Sequence, residues 1–288
     1  MLCKWRGDDL VLKSSIQAWQ VGGVLVEYCY YPPSFGVPLP KHSHIEYQLG
    51  VSTDTSGGYR YRGASHPTPA GHFSLLHSGE VHTTLRKGEW IDQPRTYWMM
   101  YIPPEQFSKI AFACSGDASL PFFPEPVICD RPLLDQFLAF FQSLESSAGP
   151  LEQAERLLAC LSQLVARHAE RHRLPPEPKR DGRRVQQVRA YLDAHLAETV
   201  TLENLAQLVD LSPYHLHRLF RQEVGLPLHQ YQISARVAQA KRLLLQGLPL
   251  KRVAEDAGFA DQSHFTRQFK RLMQVTPGRY QIHRHQMQ

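Results

Sequence analysis

The chain has 288 residues, enough for two domains that each bury a core of their own. An apolar fraction of 42% with 20% charged residues excludes a disordered chain, and no run approaches the roughly 18 apolar residues of a membrane span. The net charge of +5 is uneven: from Lys179 onward 17 Lys and Arg stand against 9 Asp and Glu, and before it 15 stand against 18, so the C-terminal part is the one suited to a polyanion.

The opening residues, MLCKWRGDDL, carry charges where a signal peptide needs an apolar run. The cysteines Cys3, Cys29, Cys114, Cys129 and Cys160 are odd in number and show no C-x-x-C spacing, which argues against a disulfide framework and a cysteine zinc site. A reducing cytoplasm is the expected location.

Residues 20 to 130 consist of short runs rich in Val, Tyr, Leu and Ile, broken by YPPSFGVPLP, STDTSGG and HPTPAG. Turn signals at such intervals, without a helical period, predict a small β sandwich or barrel. Within it, HSHIEYQLGV (42–51) alternates: on a strand His42, His44, Glu46 and Gln48 share one face and Ile45, Tyr47, Leu49 and Val51 the other. Three readings of the polar face compete. It meets solvent, or His42 and His44 join His82 around zinc or iron, or it lines a pocket for a small organic effector. Arg60, Arg62, His72 and His77, with Tyr59 and Tyr61, are further pocket candidates, since Arg suits a carboxylate or phosphate. Strand parity leaves open which pair, Arg60 and Arg62 or Tyr59 and Tyr61, looks inward.

Two helices follow, carried by Leu133, Phe137, Phe140, Phe141 and Leu144 and by Leu157, Leu161, Leu164, Val165 and His168, with SSAGP as the turn. Their apolar stripes either pack back on the β domain or pair with a second copy. RLPPEPKRDG (173–182), with three prolines and a glycine, reads as a linker.

From Arg183 the pattern is helical and repeats. SPYHLHRLFR (212–221) aligns with DQSHFTRQFK (261–270), matching His215 to His264, Arg218 to Arg267 and Phe220 to Phe269. Each unit is a short helix, a tight turn and a second helix, the spacing of a helix-turn-helix. Ser212 and Asp261 are placed to cap the second helices, and Gly258 to take a left-handed turn. Ile233, Val237, Ala240 and Leu244 form the buried stripe of a joining helix. With Leu216, Leu219 and Phe220 in the core of the first unit, Tyr214, His217, Arg218 and Arg221 remain free. In the second, Phe265 and Phe269 are core, and Gln262, Ser263, Thr266, Arg267 and Lys270 are free. These side chains suit base edges and phosphates in the major groove of double-stranded DNA.

Residues 183–282 resemble the DNA-binding domain of the AraC/XylS family of transcription regulators, most specifically in VAEDAGFADQSHFTRQFKRLMQVTPGRYQ. Gln274 departs from the pattern, which usually has Gly there. The run HSHIEYQ followed by PAGHFSLLHSGEVH resembles the cupin-type sensory domain common in that family, with Gln48 where metal-binding cupins carry a carboxylate. The resemblance implies that the free-face residues read DNA, and that the protein is an activator that works with RNA polymerase.

The expected architecture is therefore α+β with two domains. It has a cupin-like β-barrel effector domain at 1–130, a helical dimerisation element at 131–172, the linker at 173–182, and an all-α double helix-turn-helix domain at 183–288. The expected function is a ligand-responsive, sequence-specific regulator acting as a homodimer, with no membrane partner. The alternative is a metal-dependent cupin enzyme fused to a DNA-binding domain. No nucleophile elbow, Gly-rich phosphate loop or paired carboxylates at helical spacing favour it.

Overall fold

In a computed structural model, residues 14–35, 39–85, 90–115, 119–146, 148–170 and 180–282 are described. The N-terminal part contains strands β1 (Ser15–Val21), β2 (Val24–Tyr31), β3 (Ser34–Phe35), β4 (Tyr47–Val51), β5 (Gly57–Tyr61) and β6 (Ala64–Thr68). Next come β7 (Phe73–Leu76), β8 (His82–Thr84), β9 (Trp90–Ile91), β10 (Arg95–Ile102), helix α1 (Pro104–Ser115) and β11 (Val127–Ile128). Helices α2 (Arg131–Glu145) and α3 (Pro150–His168) complete it. The strands do not close into the expected barrel. They form a seven-stranded sheet in the order β11-β7-β4-β10-β2-β1-β12, a three-stranded sheet β6-β5-β8 and the pair β3-β9. The last strand of the large sheet, β12 (Tyr280–Ile282), comes from the far end of the chain and runs parallel to β1, opposite Ile16, Gln17 and Ala18.

The side-chain period of two decides what each face of the large sheet does. Val24 and Val26 of β2, Leu49 and Val51 of β4, and Met100 and Ile102 of β10 point to one side. There they meet Phe107 and Ile110 of α1, Phe137, Phe140 and Phe141 of α2, and Leu157, Leu161 and Leu164 of α3. Trp98 stacks on Phe141 with ring centroids 4.4 Å apart. The stripes expected to serve dimerisation are thus spent within the chain. Asp130 caps α2 through Leu133 N–H and accepts from His168 at 2.7 Å and Arg167 at 3.0 Å, tying the start of α2 to the end of α3. Helix α1 was not expected in the β region. Its Phe107, Ile110 and Ala111 recur at helical spacing and are buried, though the run is short and follows two prolines.

The expected linker overlaps a helix. Residues 173–179 lie outside the described residues, while α4 (Arg180–Ala194) starts inside the predicted segment because Val185, Val188 and Leu192 bury one helical face. It is followed by α5 (Leu202–Leu208), α6 (Pro213–Val224), α7 (Leu228–Leu245), α8 (Leu250–Asp256), α9 (Gln262–Met273) and a short 3-10 turn at Pro277–Arg279. Both helix-turn-helix units are present, α5–α6 and α8–α9, joined by α7. The caps are as read: Ser212 accepts from His215 N–H at 3.3 Å and Asp261 from His264 N–H at 2.6 Å. Gly225 and Gln274 close α6 and α9 in the left-handed conformation, so Gln274 adopts the geometry that the missing glycine would supply.

Two cores serve the C-terminal helices. One joins α4, α5, α6 and the start of α7 around Val188, Leu216, Phe220 and Tyr231. The other is shared between domains: Ile16, Ala18, Leu25 and Cys29 of β1 and β2 pack with Val237 and Leu244 of α7, Val253 of α8, Phe265 and Phe269 of α9, and Tyr280.

Candidate functional site

The second face of the large sheet carries Leu25, Glu27 and Cys29 of β2, Gln48 and Gly50 of β4, and Tyr97, Met99 and Tyr101 of β10. It looks into a cavity of about 1030 Å³ whose opposite wall is the DNA-binding domain: Arg189 and Asp193 of α4, Ser234, Val237, Ala238, Lys241 and Arg242 of α7, and Met273 of α9. The volume is at the upper end for small-molecule sites.

His42, His44, Glu46, Gln48 and His82 all line this cavity. Only residues 47–51 of the alternating run are strand; His42 is fixed by an isolated antiparallel bridge to His82, with N–H to O distances of 3.1 and 3.0 Å. The three imidazoles cluster, with centroids 4.3 Å apart for His42 and His82, 5.0 Å for His44 and His82, and 6.2 Å for His42 and His44. Each places Nδ1 against a backbone carbonyl: His42 on Pro40 at 2.9 Å, His44 on Glu46 at 2.9 Å and His82 on Glu80 at 3.2 Å. A carbonyl only accepts, so His42 and His82 carry their proton on Nδ1 and offer the Nε2 lone pair, whereas Nε2 of His44 faces a second acceptor, Gln48 Oε1, at 2.7 Å. Burial, reinforced by the neighbouring imidazoles, lowers His42 to about 4 and holds His82 well below its ordinary value; burial also lowers His44. The cluster is therefore neutral near pH 7.

Unpaired polar atoms concentrate here. Glu27 Oε2, Glu46 Oε2, Thr68 Oγ1 and His82 Nε2 are buried without a hydrogen-bond partner, and all four residues line the cavity. Each such atom costs about 1–3 kcal/mol, the pattern of a binding site rather than a structural core. The other oxygen of Glu27 is well served: Lys241 Nζ lies 2.8 Å from Oε1, and the Tyr280 hydroxyl donates to the same atom. Glu27 is fully buried, and Lys241 and Tyr280 nearly so. Lys241 Nζ also sits 3.4 Å from the centroid of the Tyr101 ring, a cation–π contact.

The donors do not suit a metal. Among the described residues no group of three or more His, Cys, Asp or Glu side chains is arranged to hold a metal ion. His44 Nε2 is already engaged by the Gln48 side-chain amide at 2.7 Å. Zinc or iron at His42, His44 and His82, one of the three readings of the polar face, thus finds no ligand set among the described residues.

Four other candidates lie away from the cavity. Arg60 is exposed, and Arg62 forms an ion pair with Glu80 at 2.7 Å against the rings of Tyr61 and Phe122. His72 bonds the Ala70 carbonyl at 3.3 Å. His77 is structural: Tyr61 Oη lies 3.0 Å from its Nδ1 and Phe123 N–H donates to its Nε2 at 3.0 Å. Tyr59 lines the cavity while Tyr61 is buried, so the tyrosines of β5 look inward. The sequence reading missed Glu27 and Lys241. Their signal was a charge inside an apolar run, in VLVEYCYY and VAQAKRLLL.

On the DNA-binding side, Tyr214, His217, Arg218 and Arg221 of α6 and Gln262, Ser263, Arg267 and Lys270 of α9 are exposed, and Thr266 is half-buried. Beneath them Leu216, Leu219 and Phe220, and Phe265 and Phe269, are buried as the repeat requires.

A family model described as an AraC-like ligand binding domain matches residues 27–161, and one described as a helix-turn-helix domain matches residues 205–282. The chain belongs to the AraC/XylS family of transcription regulators. It is 28% identical over 293 residues to the arabinose operon regulatory protein of Salmonella typhimurium, covering 97% of this chain and 98% of the relative. The regulator YbfI of Bacillus subtilis is 28% identical over 255 residues, covering 86% of this chain and 85% of its own. Among solved structures, an apo form of ToxT from Vibrio cholerae superposes with a TM-score of 0.61 at 12% identity, over 90% of this chain and 97% of that one, a likeness of fold. The protein is thus a DNA-binding transcription regulator with a ligand-binding domain, which overturns the cupin-enzyme alternative. Among the described residues no helix is long and apolar enough to cross a membrane.

Proposed function

We propose that this regulator is a ligand-responsive, sequence-specific activator whose small organic effector occupies the cavity between the sensor sheet and the DNA-binding domain. One observation carries the reading: the cavity has walls from both domains, β2, β4 and β10 on one side and α4, α7 and α9 on the other. A molecule seated there touches both, so its affinity depends on how they are placed. That differential contact is what an effector needs to shift a population between arrangements of unequal DNA affinity.

The free faces of α6 and α9 read the operator, with Arg218 and Arg267 as the base-contacting pair and Arg221 and Lys270 on phosphates. Joined by α7, the two helices enter successive major grooves, about 34 Å apart along one face of the duplex. The protein works in the cytoplasm, as a homodimer, beside RNA polymerase. Leu151 and Leu158 of α3 and Phe112 of α1, exposed at 73%, 55% and 58%, supply the apolar contact between copies that the buried stripes of α2 and α3 do not.

Operator binding at fixed salt tests this reading. Arg218→Ala and Arg267→Ala each weaken the specific complex by about 1–3 kcal/mol and relax preference at one base. An equal loss on scrambled DNA would make them phosphate contacts. A mass in solution that stays monomeric at micromolar concentration, with and without operator, counts against the dimer.

A further inference from the structure

The two helix-turn-helix units have separate cores. Leu228 and Tyr231 at the start of α7 belong to the first, and Ile233, Val237, Ala240 and Leu244 further along belong to the second. Beyond the path of α7 itself, the angle between α6 and α9 has to be set by a contact between the units. The anchor made by Glu27, Lys241 and Tyr280 is not that contact, because its members lie in β2, α7 and β12.

Arg236 of α7 reaches across to the connection between α4 and α5. Its Nε donates to the Leu196 carbonyl at 2.9 Å and its Nη2 to the Glu198 carbonyl at 3.2 Å. Both carbonyls follow the C-terminal end of α4, the negative end of its dipole, where a guanidinium is favoured. The planar fork meets two acceptors on one stretch of backbone at once, which an ammonium cannot do with the same geometry. Arg236 is half-buried and burial lowers its pKa, so its charge is kept there against a desolvation cost. The α8–α9 turn lies on the other side of the same carbonyl. Gly258 takes φ +83° in that turn, and a Cβ on it would meet the Leu196 carbonyl, the Ala197 Cα and Arg236 Nε together. The Leu196 carbonyl is thus held where the first unit, the joining helix and the second unit converge, and the lack of a side chain at Gly258 lets the backbones approach that closely.

We propose that Arg236 and Gly258 are positioning residues for DNA reading: they lock the α4–α5 connection onto the α8–α9 turn and so fix the one block spacing that the regulator accepts. This deepens the reading in which α6 and α9 enter successive major grooves, and rests on it. One base pair added between the two blocks moves the second by about 3.4 Å along the duplex and turns it by about 35° around the axis. A locked pair of units cannot follow that displacement, and a loosened pair can.

Duplexes selected from a random pool by the full chain test this at fixed salt. Each is compared with versions carrying one base pair more or fewer between the two blocks that one protein molecule protects, and with a scrambled duplex. The native chain is expected to lose tenfold or more in affinity on either change of spacing. Arg236→Ala is expected to bind the selected duplex three- to tenfold more weakly, to discriminate between spacings by threefold or less, and to bind scrambled DNA within twofold of the native chain. Arg236→Lys, which keeps the charge and loses the fork, is expected to discriminate to an intermediate degree, and it carries the test if Arg236→Ala melts below the assay temperature. Gly258→Ala, which keeps Arg236 and wedges the backbones apart, is expected to lower the discrimination as well. An equal loss on every duplex, scrambled DNA included, makes Arg236 a phosphate contact or a residue that only stabilises the fold, and overturns the proposal. Discrimination that survives intact in both Arg236 variants also overturns it and leaves the two-groove reading standing. A native chain indifferent to spacing overturns both.

Discussion

The two helix-turn-helix units share a pattern and differ in what holds them. The first packs on α4 and α7 in a core of its own, and α4 touches the sensor where Arg189 donates to the Gly79 carbonyl at 3.4 Å. The second has no core apart from the sensor: Phe265 and Phe269 pack in one cluster with Ile16 and Ala18 of β1. Their turns differ too. Asp210 takes the left-handed conformation in the first unit at φ +52°, and Gly258 takes it at the matching place in the second at φ +83°. A Cβ at Gly258 would run into the Leu196 carbonyl, so that turn is closed to any side chain. The contrast teaches that a repeated motif can be held in two ways, and that the sensor holds the second unit directly and the first through α7.

Breaking the anchor gives the largest separation between the units. Glu27→Ala leaves the Lys241 ammonium and the Tyr280 hydroxyl buried without their acceptor and is expected to cost about 3–5 kcal/mol. Native-state hydrogen exchange should then show α8, α9 and 280–282 losing protection ahead of α4–α6; loss in step across both units would erase the distinction.

Acid acts on the same junction from the sensor side. His42 and His77 are lowered to about 4 by burial, with His44 and Arg62 respectively adding to the shift, and His44 and His82 are lowered as well. Below about pH 6.5 the unfolded chain takes up protons that the folded chain refuses until about pH 4. Stability is therefore full above pH 6.5 and falls as the pH drops toward 4, by up to about 1.4 kcal/mol per pH unit for each histidine. Urea midpoints at pH 7.5, 6 and 5 check the direction, and a midpoint that rises on acidification contradicts it.

The turns give the smallest and sharpest contrast. Gly258→Ala should destabilise by more than about 1 kcal/mol, whereas Asp210→Gly should change stability by no more than a few tenths of a kcal/mol. Thermal melts of the two variants compare them, and equal effects would mean the turns are equivalent after all.

Much of this was legible in local pattern. The helix-turn-helix repeat could be read because caps, turn residues and the stripes at Leu216, Phe220, Phe265 and Phe269 are all encoded within a dozen residues of one another. The histidines could be placed on one wall for the same reason, although residues 42–46 are not strand. What escaped is non-local. Tyr280 and Glu27 are 253 residues apart in sequence, and nothing beside either one announces the other. Arg60, Arg62, His72 and His77 were weighed by residue type alone, and type does not say which side of a short strand or turn looks inward. The apolar stripes of α2 and α3 were seen and their partner was left open between the β domain and a second copy, since a buried stripe reads the same whether it covers its own sheet or a second chain.

The parallel pairing of β12 with β1 joins the two ends of the described chain side by side. A ribosome delivers β1 well before β12, so until β12 follows the outer edge of the large sheet has unpaired N–H and C=O groups and no strand to cover them. Closing that edge is a contact of very long range in sequence, which makes it slow and late. The nascent protein is consequently most exposed to edge-to-edge association before β12 has emerged, and its second helix-turn-helix unit completes its seat on the sensor only when that strand arrives.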